Sequence, residues 1–299
     1  MSVIVAGVDG STSALHAAVW AAEEAGRRGE PLRLVYAYVV PVHGYPGFVA
    51  TVSTIREGLR EQGRQCLREA KEAAVEAAPA AVVETELIEG SATTVLLHES
   101  HHARLVVLGS RGLGGFTGML VGSTAVALAA HGHCPVIVVR GKRPEDKPPT
   151  DGPVVVGADG SAAGAAALEF AFGEAALRGV GVKAIRTWND VPLEATVRMY
   201  PLTVDPADID FEERAVLEAQ VAVWQEKYPG VEAESIIARG RPVRRLLEHG
   251  EHAQLIVVGS RGRGGFHGML LGSTSQALVV HALCPVAVVR ADAAEQAGE

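Results

Sequence analysis

The chain has 299 residues, of which 48% are hydrophobic, only 5% aromatic and 21% charged, and its formal net charge is −8. That length suits one large or two medium domains, each able to bury a proper core. The negative charge argues against a general nucleic-acid binder, because phosphate backbones require a surplus of Lys and Arg. A small anionic ligand held by local backbone donors remains compatible with it.

From the N-terminus, short β-branched runs alternate with longer alanine-rich amphipathic ones. Strands are predicted near Val3–Val8, Leu32–Val39, Val82–Glu89, Leu105–Leu108 and Val136–Val139. Helices are predicted near Ser13–Arg28, Ile55–Ala77, Ala92–His101 and Ser123–Ala130. Apolar runs without alternation suit strands covered on both faces, which means a parallel sheet built of βαβ units. Right-handed crossovers make each such half a doubly wound α/β sandwich of about five strands, Rossmann-like or flavodoxin-like.

A shift of 150 residues lays landmark on landmark. Gly7-Val-Asp9-Gly-Ser11 falls on Gly157-Ala-Asp159-Gly-Ser161, and Cys134-Pro135 falls on Cys284-Pro285. About two-thirds of the residues match between 109–140 and 259–290. The chain is therefore read as a tandem repeat: domain one over 1–141, a proline- and charge-rich linker over 142–153, domain two over 154–291 and a polar tail over 292–299. No basic region precedes the first apolar run and no apolar stretch is long enough to span a bilayer, so a cytoplasmic protein is expected, with no membrane partner. Cys66, Cys134 and Cys284 are expected to be reduced, the last two as core fillers.

The densest signal is Gly109-Ser110-Arg111-Gly112-Leu113-Gly114-Gly115, followed by Gly122-Ser123-Thr124. It recurs as Gly259-Ser260-Arg261-Gly262-Arg263-Gly264-Gly265, followed by Gly272-Ser273-Thr274. A strand entering a glycine-rich loop and then a helix leaves free N–H groups at the positive end of a helix dipole, a place that attracts an anion. Ser123 and Thr124 sit where hydroxyls either cap the helix or bond phosphate oxygens, and the Arg111 fork matches phosphate. Read as structure alone, the glycines make a tight turn and the serine is a cap. One turn does not need so many glycines.

Strands one and four are expected side by side where the winding reverses, and ligands bind at the carboxyl ends of strands at such a point. Asp9 would then face the phosphate loop, able to bond a ribose hydroxyl or hold a divalent cation bridging phosphates. The alternative is that Asp-Gly-Ser is an ordinary helix-starting turn. Asp159 mirrors both readings. His98, His101 and His102 have a metal-ligand spacing, but Glu248, Glu251 and His252 replace them in the second half, which favours a solvated face.

Gly-x-x-Gly, nine residues and Gly-Ser, with Val-Asp-Gly-Ser after the first strand, resembles the universal stress protein family in its ATP-binding branch, over both halves. The resemblance implies one ATP per domain, accompanied by Mg2+ or Mn2+, and a role in stress response. It implies that Gly109, Ser110, Arg111, Gly112, Leu113, Gly114 and Gly115 hold the triphosphate, with Gly122, Ser123 and Thr124 closing the site. Gly7 and Asp9 would flank adenosine and Ala37 would meet adenine. In the second half the matching positions are Gly157, Asp159, Thr187, Gly259, Ser260, Arg261, Gly262, Arg263, Gly264, Gly265, Gly272, Ser273 and Thr274. Asp9 and Asp159 are the positions for any metal held with the phosphates. Family dimers associate through the last strand, so the resemblance implies that the two halves pair with each other through Val136–Val139 and Val286–Val289, with a homodimer of chains beyond that.

Three functions compete. A regulatory nucleotide-binding module fits a phosphate loop that lacks a Walker lysine, a Ser/His/Asp set and paired carboxylates. A slow metal-dependent ATPase would use Asp9 to activate water. A partner-binding protein without nucleotide would not need intact glycine motifs. The halves differ most at 41–51 and 189–201, segments placed to cover a nucleotide, to meet a partner, or to have drifted as surface loops.

Overall fold

The computed structural model describes residues 2–41, 52–112, 121–143, 146–188, 206–263 and 270–291. The chain divides into two compact units, Met1–Lys147 and Pro148–Glu299. Positions 42–51 and 189–205, and the expected tail at 292–299, lie outside the described residues.

The first unit runs β1 (Val3–Gly7), α1 (Thr12–Arg28), β2 (Leu32–Tyr38), α2 (Val52–Ala77), β3 (Val83–Glu89), α3 (Ala92–Glu99), β4 (Ala103–Gly109), α4 (Ser123–His131) and β5 (Val136–Val139). Its strands are parallel in the order β3-β2-β1-β4-β5. That is the Rossmann half-sheet order and not the flavodoxin one, in which strands one and three are neighbours. Ile4 is aligned with Leu32 on one side and Leu105 on the other, so the reversal of winding lies between β1 and β4.

The second unit repeats the plan with β6 (Val154–Gly157), α5 (Ala162–Arg178), β7 (Val182–Trp188), α6 (Pro206–Lys227), β8 (Ala233–Arg239), α7 (Pro242–Gly250), β9 (Leu255–Gly259), α8 (Ser273–His281) and β10 (Val286–Val289). Within it the order is β8-β7-β6-β9-β10, again parallel.

Local chemistry explains the helix ends. Ser11 caps α1 by accepting the N–H of Ala14 at 3.2 Å, and Gly29 ends the helix at φ 65°, a left-handed conformation that favours glycine. Ser161 and Gly179 do the same for α5. The face of α1 toward the sheet is alanine (Ala14, Ala17, Ala18, Ala21, Ala22, Ala25), which lets the helix lie close against β4. Beneath it Ile4, Leu32, Leu34 and Leu105 are fully buried, each side chain contributing about 1.5–3 kcal/mol. Because the strands within each unit are parallel, each unit has its strand carboxyl ends, with the loops that follow, at one edge of its own sheet.

Cys134 and Cys284 are buried thiols, and burial pushes the Cys134 thiol up to about 12. No helix among the described residues is long and apolar enough to cross a membrane.

Candidate functional site

At the carboxyl edge of the first unit, β1 and β4 part around a cavity of about 380 Å3. Its walls come from six places in the chain: Gly7, Val8 and Asp9 at the end of β1 and just after it; Ala14 of α1; Val35 and Ala37 of β2; Ala92 and Leu96 of α3; Leu108, Gly109, Arg111 and Gly112 at the end of β4 and just after it; and Gly122, Ser123 and Thr124 opening α4. Of the sequence-predicted residues described in this half, only Ser110 is left off the wall. It is 4% exposed, and its hydroxyl lies 3.5 Å from that of Ser13. The carbonyl of Ser110 accepts the N–H of Gly122 at 3.0 Å, which ties the two ends of the glycine-rich loop together. Leu113, Gly114 and Gly115 lie outside the described residues, as do Gly264 and Gly265.

The start of α4 shows how its hydroxyls are not used. The N-cap is Gly122, and no side chain caps the helix. The Ser123 and Thr124 hydroxyls therefore do not serve as caps, and both residues line the cavity with the helix's positive end behind them. Gly272 starts α8 in the same way in the second unit. There the carbonyl of Ser260 accepts the N–H of Gly272 at 2.8 Å.

Asp9 is neither the helix cap nor a free ligand. Its Oδ1 accepts the Ser11 N–H at 3.0 Å and the Ser11 hydroxyl at 2.7 Å, so it holds the residue that does the capping. Its Oδ2 fills the space where Gly112 has no β-carbon. Asp159 repeats the pattern with Ser161, and its Oδ2 also accepts the N–H of Arg263 at 3.0 Å. Asp159 thus bonds helix start and glycine loop together, while Asp9 bonds the helix start and lies against the loop at Gly112. Among the described residues no group of three or more His, Cys, Asp or Glu side chains is placed to hold a metal ion. His101 instead stacks on His133 with ring centroids 3.5 Å apart.

Sequence reasoning missed the apolar wall: Val8, Val35, Ala92, Leu96 and Leu108. The only signal for Leu96 is the position of α3 after β3 in a βαβ unit, which places that helix over β1 and β2. In the second unit Gly157, Asp159, Thr187, Gly259, Arg261, Gly262 and Gly272 take the corresponding strand ends and loops. One contrast is chemical: where Tyr36 is a phenol pushed up first by burial and then by Cys66 and Asp9, the equivalent β7 residue is Arg186.

Two repeated Rossmann-order units, each with a helix after the fourth strand that starts without a side-chain cap, define a class of tandem α/β proteins. The universal stress protein family model matches residues 1–140 and again 152–290, and the chain belongs to that family. Universal stress protein Rv1996 of Mycobacterium tuberculosis is 36% identical over 301 residues, covering 96% of this chain and 94% of the relative. Universal stress protein Rv2623 of the same organism is 36% identical over 291 residues, covering 96% of each. Among solved structures, a universal stress protein from Archaeoglobus fulgidus superposes with a TM-score of 0.66 at 20% identity, covering 97% of this chain and 98% of that one, a likeness of fold.

Proposed function

We propose that the protein is a regulatory nucleotide-binding module that holds one ATP in each unit. The observation that carries this reading is the convergence on one cavity of residues from β1, β2, the loop after β4 and the start of α4. Its volume lies within the roughly 300–1,000 Å3 of small-molecule sites. One side, formed by Val35, Ala37, Ala92 and Leu96, suits a flat apolar base. The other, formed by Arg111, Gly112, Ser123 and Thr124 at a helix start, suits phosphates. The 150-residue repeat extends the reading to the second unit, and the family resemblance supplies ATP in particular.

Catalysis is not part of the proposal. Oδ1 of Asp9 is engaged by Ser11, and among the described residues no group of three or more His, Cys, Asp or Glu side chains is placed to hold a metal ion. A homodimer is carried by the family resemblance alone.

The test fills the base end of each site without touching the glycine loops. Ala37→Phe together with Thr187→Phe in the full chain should weaken ATP at least tenfold in a calorimetric titration, about 1.4 kcal/mol, with the thermal midpoint confirming a folded protein. Unchanged affinity in the folded variant would refute the site.

A further inference from the structure

The two units are not chemically equivalent beside their glycine loops. Arg186 of β7 has a side chain only 4% exposed, and its Nε pairs with Glu213 of α6. Its Nη1 is buried and has no hydrogen-bond partner. Gly160, at φ 79° in the turn after β6, marks where that nitrogen points, because a β-carbon there would lie 3.1 Å from it. The same β-carbon would run into Nη2 of Arg263, the exposed residue that follows Gly262 in the loop. Two guanidinium groups therefore meet over one glycine that has no side chain to separate them.

The neighbouring carboxylates do not complete this arrangement. Glu213 is engaged by the Nε of Arg186 through Oε2. Asp159 has Oδ1 bonded to the N–H and hydroxyl of Ser161 and Oδ2 bonded to the backbone N–H of Arg263. Like charges repel at this spacing, and a buried N–H without an acceptor is unfavourable. A tetrahedral oxyanion would relieve both, since guanidinium forks match its oxygens in pairs. The first unit has Tyr36 and Leu113 at the two positions, neither of them cationic.

We infer that the second unit alone carries an additional phosphoryl-binding position, formed by Arg186 and Arg263 over Gly160. It rests on the nucleotide reading only for the source of the group, which is either free inorganic phosphate or a phosphate of a nucleotide seated at the Gly259 loop.

The decisive variant is Arg263→Leu, which gives the second unit the first unit's residue at an exposed position. Inorganic phosphate is titrated calorimetrically into the full-length protein, and ATP in a separate series. Phosphate affinity should fall at least tenfold in Arg263→Leu, and in Arg186→Gln if that variant folds. Equal phosphate affinity in wild type and Arg263→Leu, or no phosphate binding in wild type, overturns the inference. If ATP affinity at one of two sites falls with it, the nucleotide supplies the group; if ATP binding is unaltered, free phosphate does. Phosphate binding that depends on Arg263 in a chain that binds no ATP upholds the inference and refutes the nucleotide reading.

Discussion

Replacing Glu174 with alanine is expected to destabilise the second unit by about 3–5 kcal/mol, the largest effect of any single change considered for this chain. Glu174 is 0% exposed and bonds Arg178 twice, at 2.9 Å from Nη2 and 3.1 Å from Nε, while the Arg178 side chain is itself only 4% exposed. An exposed pair at this i,i+4 spacing would contribute a few tenths of a kcal/mol. Here the cost comes from leaving a buried guanidinium without its carboxylate. The double variant Glu174→Met and Arg178→Met removes both charges and should recover most of the loss. Denaturant unfolding of the full chain checks this. A loss below about 1 kcal/mol in Glu174→Ala would mean that Arg178 finds water or another acceptor easily and would contradict the assignment.

Gly109→Ala should cost about 1–3 kcal/mol by overpacking, and Gly259→Ala a similar amount in its own unit. A β-carbon at Gly109 would sit 2.6 Å from the carbonyl carbon and 2.7 Å from the carbonyl oxygen of Ser13. At Gly259 it would sit 2.8 Å from the same backbone atoms of Ala163. Backbone at the first turn of a capped helix cannot move as a flexible side chain can. The entropic gain from alanine in the unfolded chain, about 0.4–1 kcal/mol, is too small to compensate. Gly122→Ala is the contrast. Its nearest neighbours would be 4.0 Å away, so the variant should stay within about 0.5 kcal/mol of wild type. Thermal or denaturant unfolding of the three variants decides the matter, and equal stability of Gly109→Ala and Gly122→Ala would contradict the packing account. It follows that loss of ligand in a Gly109 variant would not by itself identify a phosphate contact.

These two glycines show how far the sequence could be read. The repeat, the βαβ alternation and the meeting of the first and fourth strands were legible because they follow from periodicity, offset and the handedness of crossovers. Gly7 at the end of β1 and Gly112 in the loop after β4 were legible for the same reason, whereas Ala37 was named only through the family resemblance. The purpose of individual glycines was not. Gly109 is bare because α1 begins against it, and Gly112 because the Asp9 carboxylate fills that space. Both facts depend on residues about 100 positions away. Ser110 reads as a phosphate ligand by its place in the motif, yet it points into the packing beside Ser13. Ala92 and Leu96 were hidden because an amphipathic helix announces an apolar face without saying whether a core or a cavity lies beneath it. The approach of Arg186 and Arg263 to Gly160 joins three separate strand ends and has no one-dimensional signature.

The central claim is that each unit offers its loop N–H groups and helix start to the phosphates of one nucleotide. Calorimetric titration of the purified full-length protein with ATP, after removal of any carried-over nucleotide, measures this directly. The account predicts saturation at two ATP per chain; a titration with no saturable ATP binding by the folded protein would contradict it.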